Sequence, residues 1–487
     1  MKNQSSIKKN FMYQMIYQIL IIILPFITSP YIARTIGAAG LGTYSYSYSI
    51  AYYFVLFSML GLVNYGNRAI AQCRDTQDRL NETFSNIVTL HIAFSCICCI
   101  VYILYAVFLA EEKLYAGIQF AYVLSGLFDI SWFYFGIEKF KLTVTRNVII
   151  KILNVVSVFI FVKNADDLWK YCVIMAFGML LSQISLWFPL KKFVAFQKPT
   201  WEKMKQHIKP LLILFIPAIA VSLYKYMDKI MIGIMSNKTQ LGFYENAEKV
   251  INIPLTIITS FGTVMLPKMS NLVASNKKEK TNQYIKLSMK YVMCLSFALA
   301  FGLAGIGTVF APVFWGQEFE LSGVLIMGLS ITIPFMSFAN VIRTQYLIPS
   351  GKDKEYLSSV IGGAVVNLIV NTLLISRMGA IGATIGTILA EIFVCAIQTL
   401  SVRKELPILQ YIKEIWIFVV FGAVMFLGVF GIGSVMENKV FTLLPQIICG
   451  MVIYGGICVI YFISTKDAMF LKMLDNIKKK VFWGQKS

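Results

Sequence analysis

Histidine is nearly missing from this chain: two residues in 487. With so few imidazoles, and nine cysteines at irregular spacing, a zinc centre lacks the clustered N and S ligands it needs. No metal and no cofactor is therefore expected. Charge is also scarce. Asp, Glu, Lys and Arg make up 14% of the residues, against about 25% in soluble domains, which excludes a soluble globule. Carboxylates are the scarcer sign, 24 against 44 Lys and Arg. Long polar stretches are missing as well, so the outward loops leave no room for an extracellular catalytic domain. Eight of the nine cysteines fall in apolar runs, leaving Cys73 in a loop. No structural disulfide is expected.

What fills the chain is apolar: 57% of it is AVILMFWYC. Apolar runs fall at 11–33, 43–65, 85–109, 116–136, 144–163, 170–190, 208–235, 250–272, 288–312, 322–347, 356–376, 380–401, 414–435 and 442–463. Each is near the length of about 20 residues that crosses a bilayer as a helix. The expectation is an all-α integral membrane protein of about 14 transmembrane helices. The first run follows Lys2, Lys8 and Lys9, as a secretory signal would. It is too long, and Ala38-Ala39-Gly40 is a poor cleavage site, so it is expected as a retained span.

The formal net charge of +20 would suggest nucleic acid in a soluble protein, but its placement points elsewhere. Terminal segments and even-numbered loops hold 34 Lys and Arg, odd-numbered loops hold 8, and Lys225 and Lys229 lie inside span 7. Basic residues gather on the cytoplasmic side, so both termini are expected in the cytoplasm and no nucleic-acid role is expected. The stretches 191–207 and 268–287 read as solvated linkers. After span 14, Met469, Phe470, Met473, Leu474, Ile477, Val481 and Phe482 recur at helical spacing among lysines, as in an amphipathic helix on the inner leaflet.

Two fragments repeat. Leu41-Gly42-Thr43-Tyr44 opens span 2 and Leu241-Gly242-Phe243-Tyr244 opens span 8, each after a helix with an interior proline, Pro25 or Pro217. Lys139, Lys141 and Asn154 have the spacing of Lys352, Lys354 and Asn367. The chain thus reads as two six-helix bundles, 1–205 and 206–405, related by a pseudo-two-fold axis along the membrane normal. Residues 406–487 add helices 13 and 14 and the amphipathic cytoplasmic tail.

Ionisable groups inside spans cost about 2.5–3.5 kcal/mol each at a helix centre and usually face a bundle interior or water. Span 7 holds Lys225, Asp228 and Lys229 on one face, leaving about one surplus positive charge for a phosphate or pyrophosphate. The alternative is a self-satisfied Asp228 salt bridge, or lysines snorkelling to the interface. Arg34 ends span 1, where it either forks onto phosphate oxygens or anchors the helix at the interface. Arg68, Lys249 and Arg343 also sit at span ends, where anchoring is the commoner role. Glu391 in span 12 and Asp228 are candidates for a coupling site, with an inter-helix hydrogen bond as the alternative for Glu391. Tyr44, Tyr48 and Tyr52 recur at i,i+4 and either stack on sugar rings or belong to an interfacial aromatic belt. His91 reads as packed or hydrogen-bonded rather than a metal ligand. Pro25, Pro30, Pro217, Pro254 and Pro334 are expected to interrupt their spans.

Four stretches carry a resemblance. Pro30-Tyr31-Ile32-Ala33-Arg34-Thr35-Ile36-Gly37, followed by Gly40-Leu41-Gly42-Thr43-Tyr44, resembles the opening of Wzx-type polysaccharide flippases, in the multidrug/oligosaccharidyl-lipid/polysaccharide exporter superfamily. So do Trp132-Phe133-Tyr134-Phe135-Gly136-Ile137-Glu138-Lys139-Phe140, Met227-Asp228-Lys229-Ile230-Met231-Ile232-Gly233, and Asn367 followed by Met378-Gly379-Ala380-Ile381-Gly382-Ala383. The resemblance implies two bundles around a partly cationic cavity in a bacterial plasma membrane. It implies translocation of a polyprenyl-pyrophosphate-linked oligosaccharide from the inner to the outer leaflet by alternating access, alongside a polysaccharide polymerase and glycosyltransferases. Arg34, Lys225 and Lys229 would meet the pyrophosphate, and the tyrosines the sugars. The alternatives are a cation-coupled multidrug antiporter of the same superfamily, a peptidoglycan-precursor lipid flippase and, outside transport, an oligosaccharide polymerase. The antiporter needs cavity carboxylates, yet span 1 has none. No paired carboxylate or histidine site supports an enzyme.

Overall fold

A computed structural model describes residues 2–436 and 439–483, with side chains for residues 24, 26–223, 225–436 and 440–475. In hydrocarbon every backbone N–H and C=O must be satisfied within its own segment, which leaves helices as the economical form for so apolar a chain. The described residues form helices joined by turns and loops, with no strand among them, and the α-helices number seventeen: α1 Lys2–Met59, α2 Leu62–Cys73, α3 Gln77–Leu104, α4 Lys113–Leu127, α5 Ser131–Gly136, α6 Phe140–Phe161, α7 Leu168–Ile184, α8 Trp201–Met235, α9 Lys238–Ala274, α10 Lys278–Trp315, α11 Glu320–Ser330, α12 Thr332–Ile342, α13 Asp353–Met378, α14 Ala380–Val402, α15 Ile408–Val435, α16 Lys439–Ser464 and α17 Ala468–Trp483. Twelve helical stretches among the described residues are long and apolar enough to cross a membrane. The all-α membrane fold is as expected. Two of the fourteen expected spans are not among the twelve as separate crossings. Most of 11–33 has its side chains outside the described residues, and α7, which covers 170–190 only as far as Ile184, is 17 residues long.

The chain divides into two compact units, Met1–Asn246 with Val360–Gly386, and Ala247–Ser359 with Thr387–Ser487. In the first, Phe84, Trp132, Phe133 and Ile70 close into a dry aromatic core. Trp132, Phe133 and Tyr134 of the second resemblance motif are fully buried there, and the Tyr134 hydroxyl donates to the Leu186 carbonyl at 2.6 Å. That motif is therefore structural. The stretch expected as a solvated linker after residue 191 is instead strapped along α3: the amides of Ala195 and Gln197 donate to Asn81 Oδ1 at 3.0 Å and Ser85 Oγ at 2.9 Å. In the second unit α10 and α11 cross at Gly307 and Gly323, where an added Cβ on either would lie 2.6–2.8 Å from the other's carbonyl oxygen. Small residues let membrane helices approach so closely.

The helices run through Pro217 and Pro254, and Pro334 lies in the first turn of α12, where a missing N–H costs nothing. The break expected of Pro25 and Pro30 falls in α1 at Gly37 (φ 70°, ψ 178°), a backbone conformation that favours glycine.

In the second unit Asp467 tethers the tail helix. Its carboxylate accepts from Lys290 Nζ at 2.6 Å and Tyr291 OH at 2.5 Å, and caps α17 by accepting the Phe470 amide at 3.0 Å. Met469 and Met473 are exposed, while Ile477, Val481 and Phe482 of the expected apolar face have side chains outside the described residues. Burial pushes the Asp467 carboxyl up, but the hydrogen bonds from Lys290, Tyr291 and Phe470 outweigh it and hold the group at about 2. An unfolded aspartate titrates near 3.9, so this stabilisation is full above about pH 4 and is lost as pH falls through about 2. The thermal midpoint of the protein in detergent should fall over that interval, and Asp467→Asn should flatten that part of the profile.

Candidate functional site

The first unit is organised around the repeated fragment. Five residues after the Gly37 break, an added Cβ at Gly42 would strike the Lys238 carbonyl, and one at Gly242 would strike the Ala38 carbonyl. One offset of 200 residues relates both glycines and both carbonyls, so the two copies of the fragment cross reciprocally, backbone on backbone. Gly233 closes the α8 motif for a similar reason: it makes room for the Tyr46 ring, over which Lys238 Nζ sits 3.3 Å from the centroid.

This crossing brings the start of α9 against α8. Lys229, 7% exposed, is paired with Glu245 at 2.7 Å, and the Ser45 hydroxyl donates to the same carboxylate at 2.7 Å. Asp228, 5% exposed, accepts from the Tyr244 hydroxyl at 2.8 Å and from Asn371 Nδ2 at 2.6 Å. Asn371 in turn donates to Asn367 Oδ1 at 3.1 Å. Lys225 is exposed, its ammonium 5.7 Å from the Tyr226 ring centroid, and Arg34 is exposed one turn before the Gly37 break. The span 7 cluster thus holds two lysines and, with Glu245, two carboxylates. Sequence reasoning missed Glu245 because it lies 16 residues beyond Lys229, on the next helix, where helical spacing says nothing.

The tyrosines form one layer. Tyr52 stacks on Tyr226 at 4.0 Å, Tyr48 on Tyr122 at 4.8 Å, and Tyr44 meets Tyr171 edge-on at 4.8 Å. Tyr44 and Tyr48 reach a cavity of about 440 Å3 in this unit. Its lining includes Gln119, Arg146, Lys151 and Asn154, which the sequence reading passed over. Arg146 and Lys151 had been counted among the basic residues flanking a cytoplasmic loop. The signal was nevertheless there: Asn147, Lys151 and Asn154 are spaced i, i+4, i+7, a polar stripe on an apolar helix.

Three candidate residues belong to the second unit. Lys249 is half-buried on α9, and Glu391 is 4% exposed on α14. Arg343 is half-buried at the start of a π-helical turn, Arg343–Leu347, with its guanidinium 5.5 Å from the Tyr356 ring centroid.

Comparison with known proteins bears on both fold and family. A solved structure of the lipid II flippase MurJ in an inward closed conformation matches 93% of this chain and 99% of its own, with a TM-score of 0.76 at 17% identity. The two share a fold. A protein of Shigella dysenteriae named for O-antigen transport is 23% identical over 401 residues, which is 78% of this chain and 96% of that protein. A protein of Haloferax volcanii named as a low-salt glycan biosynthesis flippase is 22% identical over 322 residues, 66% of this chain and 67% of that one. The model of the family described as polysaccharide biosynthesis protein matches residues 7–273. The motif resemblance is borne out, and the chain belongs to the polysaccharide biosynthesis protein family.

Proposed function

We propose that this protein is a flippase that carries a polyprenyl-pyrophosphate-linked oligosaccharide from the inner to the outer leaflet of a bacterial plasma membrane, by alternating access, for surface polysaccharide biosynthesis. The observation that carries the reading is the family match together with similarity, over 78% of this chain, to a relative named for O-antigen transport. The chemistry agrees with it. A charged headgroup meets a steep barrier in hydrocarbon, which a hydrated, polar path removes. In the first unit Arg34 and Lys225 offer exposed positive charge to a pyrophosphate, and Tyr44, Tyr48 and Tyr52 offer ring faces and hydroxyls to sugars; Lys249 and Arg343, in the second unit, are separate candidates for substrate contact. An inside-negative potential favours outward movement of about two negative charges by about 2.3 kcal/mol per charge per 100 mV.

The buried carboxylates Asp228 and Glu391 are the candidates for coupling this movement to a cation or proton. The excess of basic residues in alternate loops puts both termini in the cytoplasm, and the duplicated halves 1–205 and 206–405 draw support from the reciprocal Gly42 and Gly242 crossing. The enzymes that make and consume such a substrate, glycosyltransferases and a polysaccharide polymerase, are the natural partners.

The test is translocation of an undecaprenyl-pyrophosphate trisaccharide in proteoliposomes. Arg34→Glu and Lys225→Glu should each lower the rate at least tenfold with undiminished protein in the membrane, because both side chains are exposed and their reversal buries no charge. Full rates in both variants would remove the two cations from the path. Failure of the unaltered protein to move this lipid, with movement of a peptidoglycan precursor instead, would transfer the proposal to that substrate.

A further inference from the structure

We infer that the cavity of about 440 Å3 in the first unit is a recognition subsite for an acidic sugar, a hexose bearing a carboxylate. The inference deepens the flippase reading and rests on it for the source of that sugar. The volume lies within the range of about 300–1,000 Å3 typical of small-molecule sites. Among the described residues that line it two are cationic, Arg146 and Lys151, and none is acidic.

Arg146 is aimed by neutral acceptors. Its Nη1 donates to the Ser182 carbonyl at 3.0 Å and to Gln183 Oε1 at 2.8 Å, and its Nη2 donates to Asn147 Oδ1 at 2.8 Å. These groups fix the guanidinium plane without cancelling its charge. Lys151 and Asn154 line this cavity and an adjoining one of about 150 Å3. An added Cβ at Gly178 would overlap the Asn154 side-chain amide, so the glycine leaves that amide its place.

Gln119 points to an occupant. It is 1% exposed, lines the cavity, and its Nε2 has no hydrogen-bond acceptor among the described residues. Leaving a buried donor unsatisfied is costly, and a ligand oxygen would remove that cost. Tyr44, Tyr48 and Tyr122 line the cavity beside these donors, Tyr48 and Tyr122 stacked on each other at 4.8 Å, and give it an aromatic edge against which a pyranose can pack. A bare phosphate would leave the rings and amides without a role. Two cations and no acidic group among the described lining residues favour an anionic sugar over a neutral one.

Binding to the full-length protein in nanodiscs tests this, with methyl glucuronide, methyl glucoside and inorganic pyrophosphate as probes. Methyl glucuronide should bind saturably and at least tenfold more tightly than methyl glucoside, and Lys151→Met and Gln119→Leu should each weaken it about tenfold. If Lys151→Met does not fold, Lys151→Gln and Gln119→Leu carry the comparison. Equal affinity for the two glycosides, preference for pyrophosphate, or unchanged glucuronide affinity in the folded variants would overturn the subsite. Translocation of the lipid-linked trisaccharide is a separate measurement: its absence alongside selective glucuronide binding would overturn the flippase reading and spare the cavity, and the converse would overturn the cavity alone.

Discussion

Glu245→Ala is expected to destabilise the protein by about 3–5 kcal/mol, the usual cost of removing one partner from a buried ion pair. Lys229 is 7% exposed and its ammonium is 2.7 Å from Glu245, so the variant keeps the positive charge in the interior and takes away that countercharge. Most of the penalty is uncompensated charge rather than lost attraction. The double variant Lys229→Met with Glu245→Ala should therefore be more stable than Glu245→Ala alone, by at least 1 kcal/mol on the same argument. Thermal midpoints in detergent, read as a double-mutant cycle, check this. An additive cycle would mean that the two side chains contribute independently. Translocation gives the second readout. If Lys229 serves the substrate as well as the fold, the double variant recovers stability without recovering transport.

Gly42→Val and Gly242→Val should be comparably severe, each near or above the upper end of the roughly 1–3 kcal/mol typical of overpacking. The obstacle at both positions is a backbone carbonyl, of Lys238 or of Ala38, which has no rotamer to move aside. Folded, monodisperse protein should be scarce for both. Gly117→Ala on α4 is the control, since an added Cβ there meets nothing within 4 Å. It should leave the stability unchanged or raise it by up to about 1 kcal/mol through helix propensity. Normal yields of the two valine variants would show that the crossing is looser than its geometry implies.

The family motifs gain a physical meaning from these contacts. Gly37 supplies a positive φ, Gly42 and Gly233 supply close approach, and Gly379, also at positive φ (56°), turns α13 into α14 where Gln240 Oε1 accepts the Ala380 amide at 3.1 Å. The motif that looked like a span 7 charge site is divided by the structure. Asp228 and Lys229 are buried in a polar network with Tyr244, Asn371 and Glu245, while Lys225 stands exposed on the same helix. A three-residue charge cluster therefore holds two kinds of group, one tied into the fold and one exposed at its surface.

By itself the sequence determined the all-helical membrane class, the positions of most spans, the asymmetry of basic loops and the family. Each of these depends on local composition or on order along the chain: hydrocarbon accepts only long apolar segments with their own backbone hydrogen bonds, and lysine and arginine count the same wherever their neighbours lie. Tertiary structure alone decided which carboxylate answers Lys229, which glycines are crossing points, that residues 195–200 are strapped to α3, and that Arg146, Lys151 and Gln119 share a cavity. Those are relations between helices far apart in the chain. The periodicity of a single helix gives the face a residue occupies, but the partner on that face is fixed only when another helix packs there.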